Sequence, residues 1–253
     1  MNYLKNNAKG YKTKQAVVFS RNEIERFLQI NDPKLEQMKL IFLIGIFGAC
    51  RATELTNLTV HDVQVDQACT ININIRDSKN GPRWFVLPRS DTPWDIYPVY
   101  NRLIQMRTNV TSDRLFMKIN ENGLMVNNPI GINTILKIPE KIATILGLSE
   151  PEKYTSHAIR RTGATILSNT GVDPIRLMRY GNWKNISCAE GYIGDSMKEK
   201  MDIAKIIIGN NTQEPVQSIQ QQQSIQQHQP TQQQQPCSIF YNCYFLFYFF
   251  FKY

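Results

Sequence analysis

Residues 154–195 read YTSHAIRRTGATILSNTGVDPIRLMRYGNWKNISCAEGYIGD, and the order of polar groups in this stretch decides what kind of molecule the chain makes. His157 and Arg160 stand three residues apart, and positions i and i+3 share one face of a helix, so two groups able to hold one anion point the same way. Thr170-Gly171 reads as a helix stop. Asp173-Pro174 then supplies an N-cap with proline at the first helical position, which predicts a second helix to about Tyr180, ended by Gly181. Trp183 falls in a turn, and 187–193 reads as a third short helix carrying Tyr192. Taken singly, His157 is a hydrogen-bonded histidine at a helix start, Trp183 a core side chain and Tyr192 one phenol among eleven. The spacing of all four is what carries information: short helices joined by tight turns bring an imidazole, a guanidinium, an indole and a phenol to one place.

Upstream, Ser20-Arg21-Asn22-Glu23 forms a capping box with Phe19 and Ile24 as its hydrophobic staple, predicting a helix to Gln29. Asp32-Pro33 opens another helix, whose Met38, Leu40, Ile41, Phe42, Leu43, Ile44 and Ile46 occur nearly all round, as in a helix at the centre of a core. It is too short, and too charged at its start, to span a membrane. It runs into Arg51, which must be exposed or paired because an unpaired buried guanidinium is costly, and Glu54 is the obvious local partner in a surface pair. Residues 69–75 alternate apolar and polar as a strand does, 77–81 form a turn, and 84–87 return as the partner strand. Lys79 therefore lies near the tip of a β-hairpin, an ordinary place for a solvated lysine, with Arg76 and Arg83 as its neighbours. Residues 94–107 read as an amphipathic helix, 115–118 as a short extended piece, and 130–148 as a helix broken or kinked at Pro139. These segments carry scaffold rather than chemistry. A last, partly amphipathic helix covers 196–208.

With 253 residues, 42% of them hydrophobic, the chain suits one large or two small domains with a substantial core. A net charge of +8 and a pI near 9.2 favour a polyanionic partner. Cys50, Cys69, Cys188, Cys237 and Cys243 show neither a C-x-x-C pair nor clustering with histidine, which argues against a metal site and a disulfide framework and for a reducing compartment. Residues 1–15 read as a flexible basic arm without the apolar core of a secretory signal, and 16–209 as one folded domain. The Gln-rich segment 210–236 has nothing to bury and reads as disordered. In the tail 237–253 the apolar run from Cys237 to Phe251 is shorter than the roughly 20 residues of a spanning helix, and it reads as an appended, non-native or aggregation-prone tail rather than a membrane anchor.

The combination S-H-A-I-R-R, G-N-W-K and A-E-G-Y-I, with R-x-x-E-L upstream and S-K-N-G in the hairpin, resembles the tyrosine recombinase (phage integrase-like) family, particularly the eukaryotic mobile-element forms of the crypton and DIRS type. The resemblance covers residues 15–208. It implies the tyrosine recombinase catalytic-domain fold, mainly α with a small antiparallel β-hairpin or sheet. It also implies site-specific recombination or integration of double-stranded DNA in the nucleus, by a homo-oligomer using no cofactor or metal. On that pattern Arg51 and Arg160 hold the phosphate, with Glu54 bracing Arg51; His157 bonds the same phosphate, Lys79 is the general acid, Trp183 lines the site and Tyr192 is the nucleophile. Arg76, Arg83 and Arg161 are then candidates for the DNA backbone. Tyr154 and Tyr180 are rival nucleophiles, but only Tyr192 follows Trp183 in the A-E-G-Y-I context.

Members of this family carry an N-terminal core-binding domain that closes a clamp on DNA, and this chain begins shortly before the catalytic region. A domesticated or decayed fragment that binds DNA without catalysis is therefore the second expectation. A basic interaction protein tethered to a membrane by its tail is the third.

Overall fold

The computed structural model describes residues 17–208, so the expected arm 1–15, the Gln-rich segment 210–236 and the apolar tail 237–253 fall outside the described residues. Helix α1 (Arg21–Gln29) starts where the capping box places it: the Ser20 amide donates to Glu23 Oε2 at 2.7 Å, and the Glu23 amide to Ser20 Oγ. Asp32-Pro33 does not open an α-helix directly. It caps a single 3₁₀ turn, Pro33–Leu35, which leads into α2 (Glu36–Phe47).

Helix α2 is the axis of the fold. Leu40, Ile41, Phe42, Leu43 and Ile44 are at most 1% exposed, which explains why its apolar residues occupy every side. After a turn the chain forms α3 (Ala52–Asn57) and then a three-stranded antiparallel sheet, β1 (Val63–Val65), β2 (Ile71–Ile75) and β3 (Arg83–Leu87), in the order β1-β2-β3. The expected hairpin is there, joined by a third strand that the sequence did not announce. Strand β2 begins two residues later than expected because Cys69, at φ +58°, closes a turn in which its amide donates to the Asp66 carbonyl. The register pairs Asn74 with Trp84 and Ile73 with Phe85.

The amphipathic segment at 94–107 is helical only over α4 (Tyr97–Gln105). The extended piece at 115–118 becomes β4 (Met117–Ile119), paired with β5 (Met125–Pro129) in a second hairpin that periodicity did not reveal. Proline breaks the next helix as expected: α5 (Ile132–Leu136) stops, and α6 (Ile138–Ile145) starts with Pro139 in its first turn, where the missing N–H has no intrahelical partner to lose.

The last four helices are α7 (Ala158–Ser168), α8 (Pro174–Gly181), α9 (Ser187–Gly194) and α10 (Met197–Ile208). Helix α7 packs along α2, and the Thr162 hydroxyl accepts from the buried Phe19 amide at 2.9 Å. Helices α7, α8 and α9 close a second small core on Ala164, Leu177 and Ala189, with Tyr180, Trp183 and Tyr192 packed at its edge. Among the described residues no helix is long and apolar enough to cross a membrane.

Candidate active site

The site forms where the turn after α2, the β2–β3 hairpin and the α7–α9 helices meet. Its base is Glu54, in the first turn of α3, with a side chain only 2% exposed. The carboxylate accepts from the Arg51 amide at 2.8 Å, from Arg51 Nη1 at 2.7 Å, from Ser78 Oγ at 2.8 Å and from Arg83 Nη2 at 2.8 Å. The expected Arg51–Glu54 pair exists, but it is no surface pair. An exposed ion pair contributes about 0.2–1 kcal/mol, whereas removing one partner of a buried pair costs about 3–5 kcal/mol, so Glu54 belongs with structural charges. Burial alone would raise its carboxyl pKa; the Arg51 amide, the Arg83 charge and the Ser78 hydroxyl outweigh that and hold it below the ordinary value.

Arg160, in the first turn of α7, is 8% exposed. Its two terminal nitrogens donate to the carbonyls of Ala49 and Gly181, one on the turn after α2 and the other at the end of α8. A guanidinium carries five N–H donors, so these bonds fix its direction and leave three for a ligand. Its pKa is pushed down first by burial and then by the charge on Arg51, which places the two guanidiniums within electrostatic reach of each other.

Trp183 lies just past α8, its ring under the Arg160 guanidinium at 5.2 Å and stacked on Tyr192 with centroids 5.3 Å apart and planes 17° apart. The Arg161 guanidinium lies over the Tyr192 ring at 5.4 Å. Helix α8 runs through Gly181, and the left-handed residue that ends it is Asn182 (φ +46°), not the glycine; Gly181 is needed because a Cβ there would drive into the Trp183 ring. Tyr192 borders an open groove of about 390 Å³ together with Arg161, Thr165 and Asp195.

The rival tyrosines are removed by packing. Tyr154 is 6% exposed with its ring against Phe19 at 4.6 Å, and Tyr180 donates its hydroxyl to the Ile46 carbonyl. Burial pushes the pKa of both phenols up, away from use as nucleophiles. Cys50, next to Arg51, is likewise inert: burial pushes its thiol up to about 12.

His157 occupies the N-cap position of α7, exposed, three residues before Arg160. Lys79 is exposed in the hairpin turn between Ser78 and Asn80. Contacts thus join Arg51 to Glu54 and, separately, Arg160, Trp183, Tyr192 and Arg161 in a row, and the charges of Arg51 and Glu54 are felt at Arg160; His157 and Lys79 are exposed on the α7 start and the hairpin turn. Two residues expected on the DNA backbone have partners within the protein. Arg83 is turned inward, 12% exposed, donating to Glu54 and to the Gly48 carbonyl. Arg76 is 65% exposed but engaged with Asp62 and Thr59. The sequence reading missed Ser78 and Asn182, although both lie inside the quoted motifs. Asn182 Nδ2 donates to Ser78 Oγ at 3.1 Å, a bond between residues 104 positions apart that neither motif announces.

Residues 18–199 match the phage integrase family. Among solved structures, the chain is similar to XerH site-specific recombinase bound to palindromic difH substrate, with TM-score 0.61 at 19% identity over 76% of this chain and 54% of that one. It is similar to XerA recombinase with TM-score 0.57 at 18% identity, over 78% and 65% of the two chains. For the Tn1549 transposon integrase in complex with transposon right end DNA the values are 0.54 and 18%, over 79% and 68%. The chain therefore spans between about half and two thirds of the length of these proteins, and at such identities the likeness is one of fold. Among curated proteins none matches the chain in sequence. The matched stretch takes in Arg51, Lys79, His157, Arg160, Trp183 and Tyr192, and the chain belongs to the phage integrase family, with the tyrosine recombinase catalytic-domain fold.

Proposed function

We propose that this protein cuts and rejoins double-stranded DNA through a covalent 3′-phosphotyrosine formed on Tyr192. The observation that carries this reading is a charge imbalance. Three guanidiniums, those of Arg51, Arg83 and Arg160, surround the single carboxylate of Glu54. An excess of two positive charges beside Trp183 and Tyr192 favours an anion, and a phosphodiester matches the planar fork of arginine.

Tyr192 Oη attacks the phosphorus, its proton passing to His157 or to water, while the remaining N–H groups of Arg51 and Arg160 hold the two non-bridging oxygens. As the bond to the 5′ oxygen breaks, Lys79 gives that oxygen a proton. Stacking on Trp183 and the Arg161 cation fix the direction of the phenol ring. The aryl phosphate keeps the energy of the broken bond, so a 5′ hydroxyl of a second strand reverses the step and exchanges strands. Guanidinium and ammonium groups supply the charge and the proton, and the reaction as written uses no cofactor. The protein acts as a homo-oligomer on DNA in the nucleus, as part of a mobile element. The apolar side chains of α10 support the oligomer, since Ile206, Ile207 and Ile208 are 63%, 79% and 72% exposed.

The test is covalent capture. The full chain is incubated with nicked duplexes drawn from the flanks of its encoding locus and run on a denaturing gel beside Tyr192→Phe. A slower band in the wild type that is absent from Tyr192→Phe, with DNA binding retained, supports the reading. Binding to these duplexes without any adduct favours the second expectation, a DNA-binding fragment without catalysis.

A further inference from the structure

Three consecutive residues hold three different parts of the site. The Gly181 carbonyl accepts from Arg160, and the Trp183 ring stacks on Tyr192. Between them, Asn182 fastens the turn that carries Lys79. Asn80 Nδ2 donates to the Asn182 main-chain carbonyl at 2.6 Å, and Asn182 Nδ2 donates to Ser78 Oγ at 3.1 Å and to the Gly81 carbonyl at 3.5 Å. Both neighbours of Lys79 are thereby tied to one residue more than a hundred positions away, and Lys79 is left exposed between them. The Ser78 hydroxyl is fully used: it donates to Glu54 and accepts from Asn182 and, at 3.4 Å, from Arg51 Nη1. The left-handed backbone of Asn182 (φ +46°, ψ +50°) is one that asparagine and glycine tolerate best.

We infer that Asn182 is a positioning residue for Lys79: it locks the hairpin turn against the α8 terminus so that the ammonium meets the leaving 5′ oxygen of the phosphate held by Arg51 and Arg160. This inference rests on the cleavage reading above. A lysine has four flexible carbons, and on an unanchored turn its ammonium is spread over many positions; a general acid acts only within hydrogen-bond reach of the atom it protonates. The Ser78–Glu54 bond joins the same turn to Arg51, so one chain of hydrogen bonds fixes the proton donor relative to a phosphate ligand.

Asn182→Gly tests this, because glycine keeps the left-handed backbone and the main-chain carbonyl while removing the carboxamide. Hydrogen exchange on the free full-length protein reads the clamp. The Gly81 amide, which donates to the Ser78 carbonyl at 3.0 Å, marks the turn. In the variant, exchange across 77–82 accelerates by about tenfold or more while the α2 core is unchanged. Cleavage then reads the positioning. Two nicked duplexes are compared, one with the natural phosphate and one with sulfur in place of the bridging 5′ oxygen at the wild-type cleavage position, since a thiolate leaves without a proton. Asn182→Gly cuts the oxygen substrate about 10–100-fold more slowly, yet stays within about twofold of wild type on the sulfur substrate, and Lys79→Ala shows the same pattern. Equal loss on both substrates, no loss on either, or unchanged exchange in the turn overturns the assignment. If the turn loosens but wild type forms no adduct on either duplex, the cleavage reading is what has failed, and the role assigned to Asn182 falls with it.

Discussion

Glu54 is the residue on which the site depends most. Glu54→Gln keeps the shape but removes the one negative charge among Arg51, Arg83 and Arg160, leaving Arg83 uncompensated at 12% exposure. The expected loss is about 3–5 kcal/mol in denaturant unfolding, and a loss below about 1 kcal/mol would show the network to be as weak as a surface pair. Gly181 is the second sensitive position. A methyl group there meets the Trp183 ring, so Gly181→Ala pushes the indole off Tyr192. The near-ultraviolet dichroism of the stacked pair should weaken and adduct formation should fall by about tenfold or more, the order of effect expected when a reacting group is misplaced. Tyr180→Phe, which loses only the hydrogen bond to Ile46, should cost about 1–2 kcal/mol and leave the adduct intact.

At the scale of elements, the β-sheet and the helices that flank it are joined by carboxylates, and this predicts how the fold meets acid. Glu54 ties α3 to β3, and Asp62, just before β1, is bonded to Thr59 and to Arg76, just after β2. Burial opposes ionisation of both, yet hydrogen bonds and the arginine charges hold both pKa values below their ordinary values of 4.5 and 3.8. The folded state thus binds fewer protons than the unfolded chain around those values. The stability these groups contribute is complete above them and is lost as pH falls through the lowered folded pKa values. The denaturant midpoint should hold at higher pH and fall as pH drops below about 4.5, and Glu54→Gln, already weakened, should show a shallower drop. Strand β3 also shows why Arg83 turns inward. In R-W-F-V-L the alternation puts Trp84 and Val86 on one face and Arg83, Phe85 and Leu87 on the other, and either set is apolar enough to face inward. Packing on α2 buries Leu87 and leaves Trp84 69% exposed, which carries Arg83 inside with Phe85.

For the whole molecule, a net charge of +8 predicts DNA binding that weakens steeply with salt. Arg76→Ala, on an exposed side chain, should lower the slope of log affinity against log salt by about one if it meets a phosphate. Arg83→Ala should leave the slope unchanged and lower stability instead, because its charge is spent on Glu54 and the Gly48 carbonyl. An equal change of slope in both variants would contradict the inward placement of Arg83.

What the sequence determined by itself was local. The capping box at Ser20, the proline break at Pro139, the Asp173-Pro174 helix start and the order His157, Arg160, Trp183, Tyr192 all depend on neighbours within a few turns, so short-range rules reach them. Tertiary structure added that Tyr154 and Tyr180, which their sequence context had already set aside, are held by packing on Phe19 and by a bond to the Ile46 carbonyl. It also decided which face of β3 turns inward, and that Ser78 and Asn182 meet across 104 positions. Contacts of that kind are set by how separate elements bury their surfaces together, and no local pattern in either segment encodes its partner.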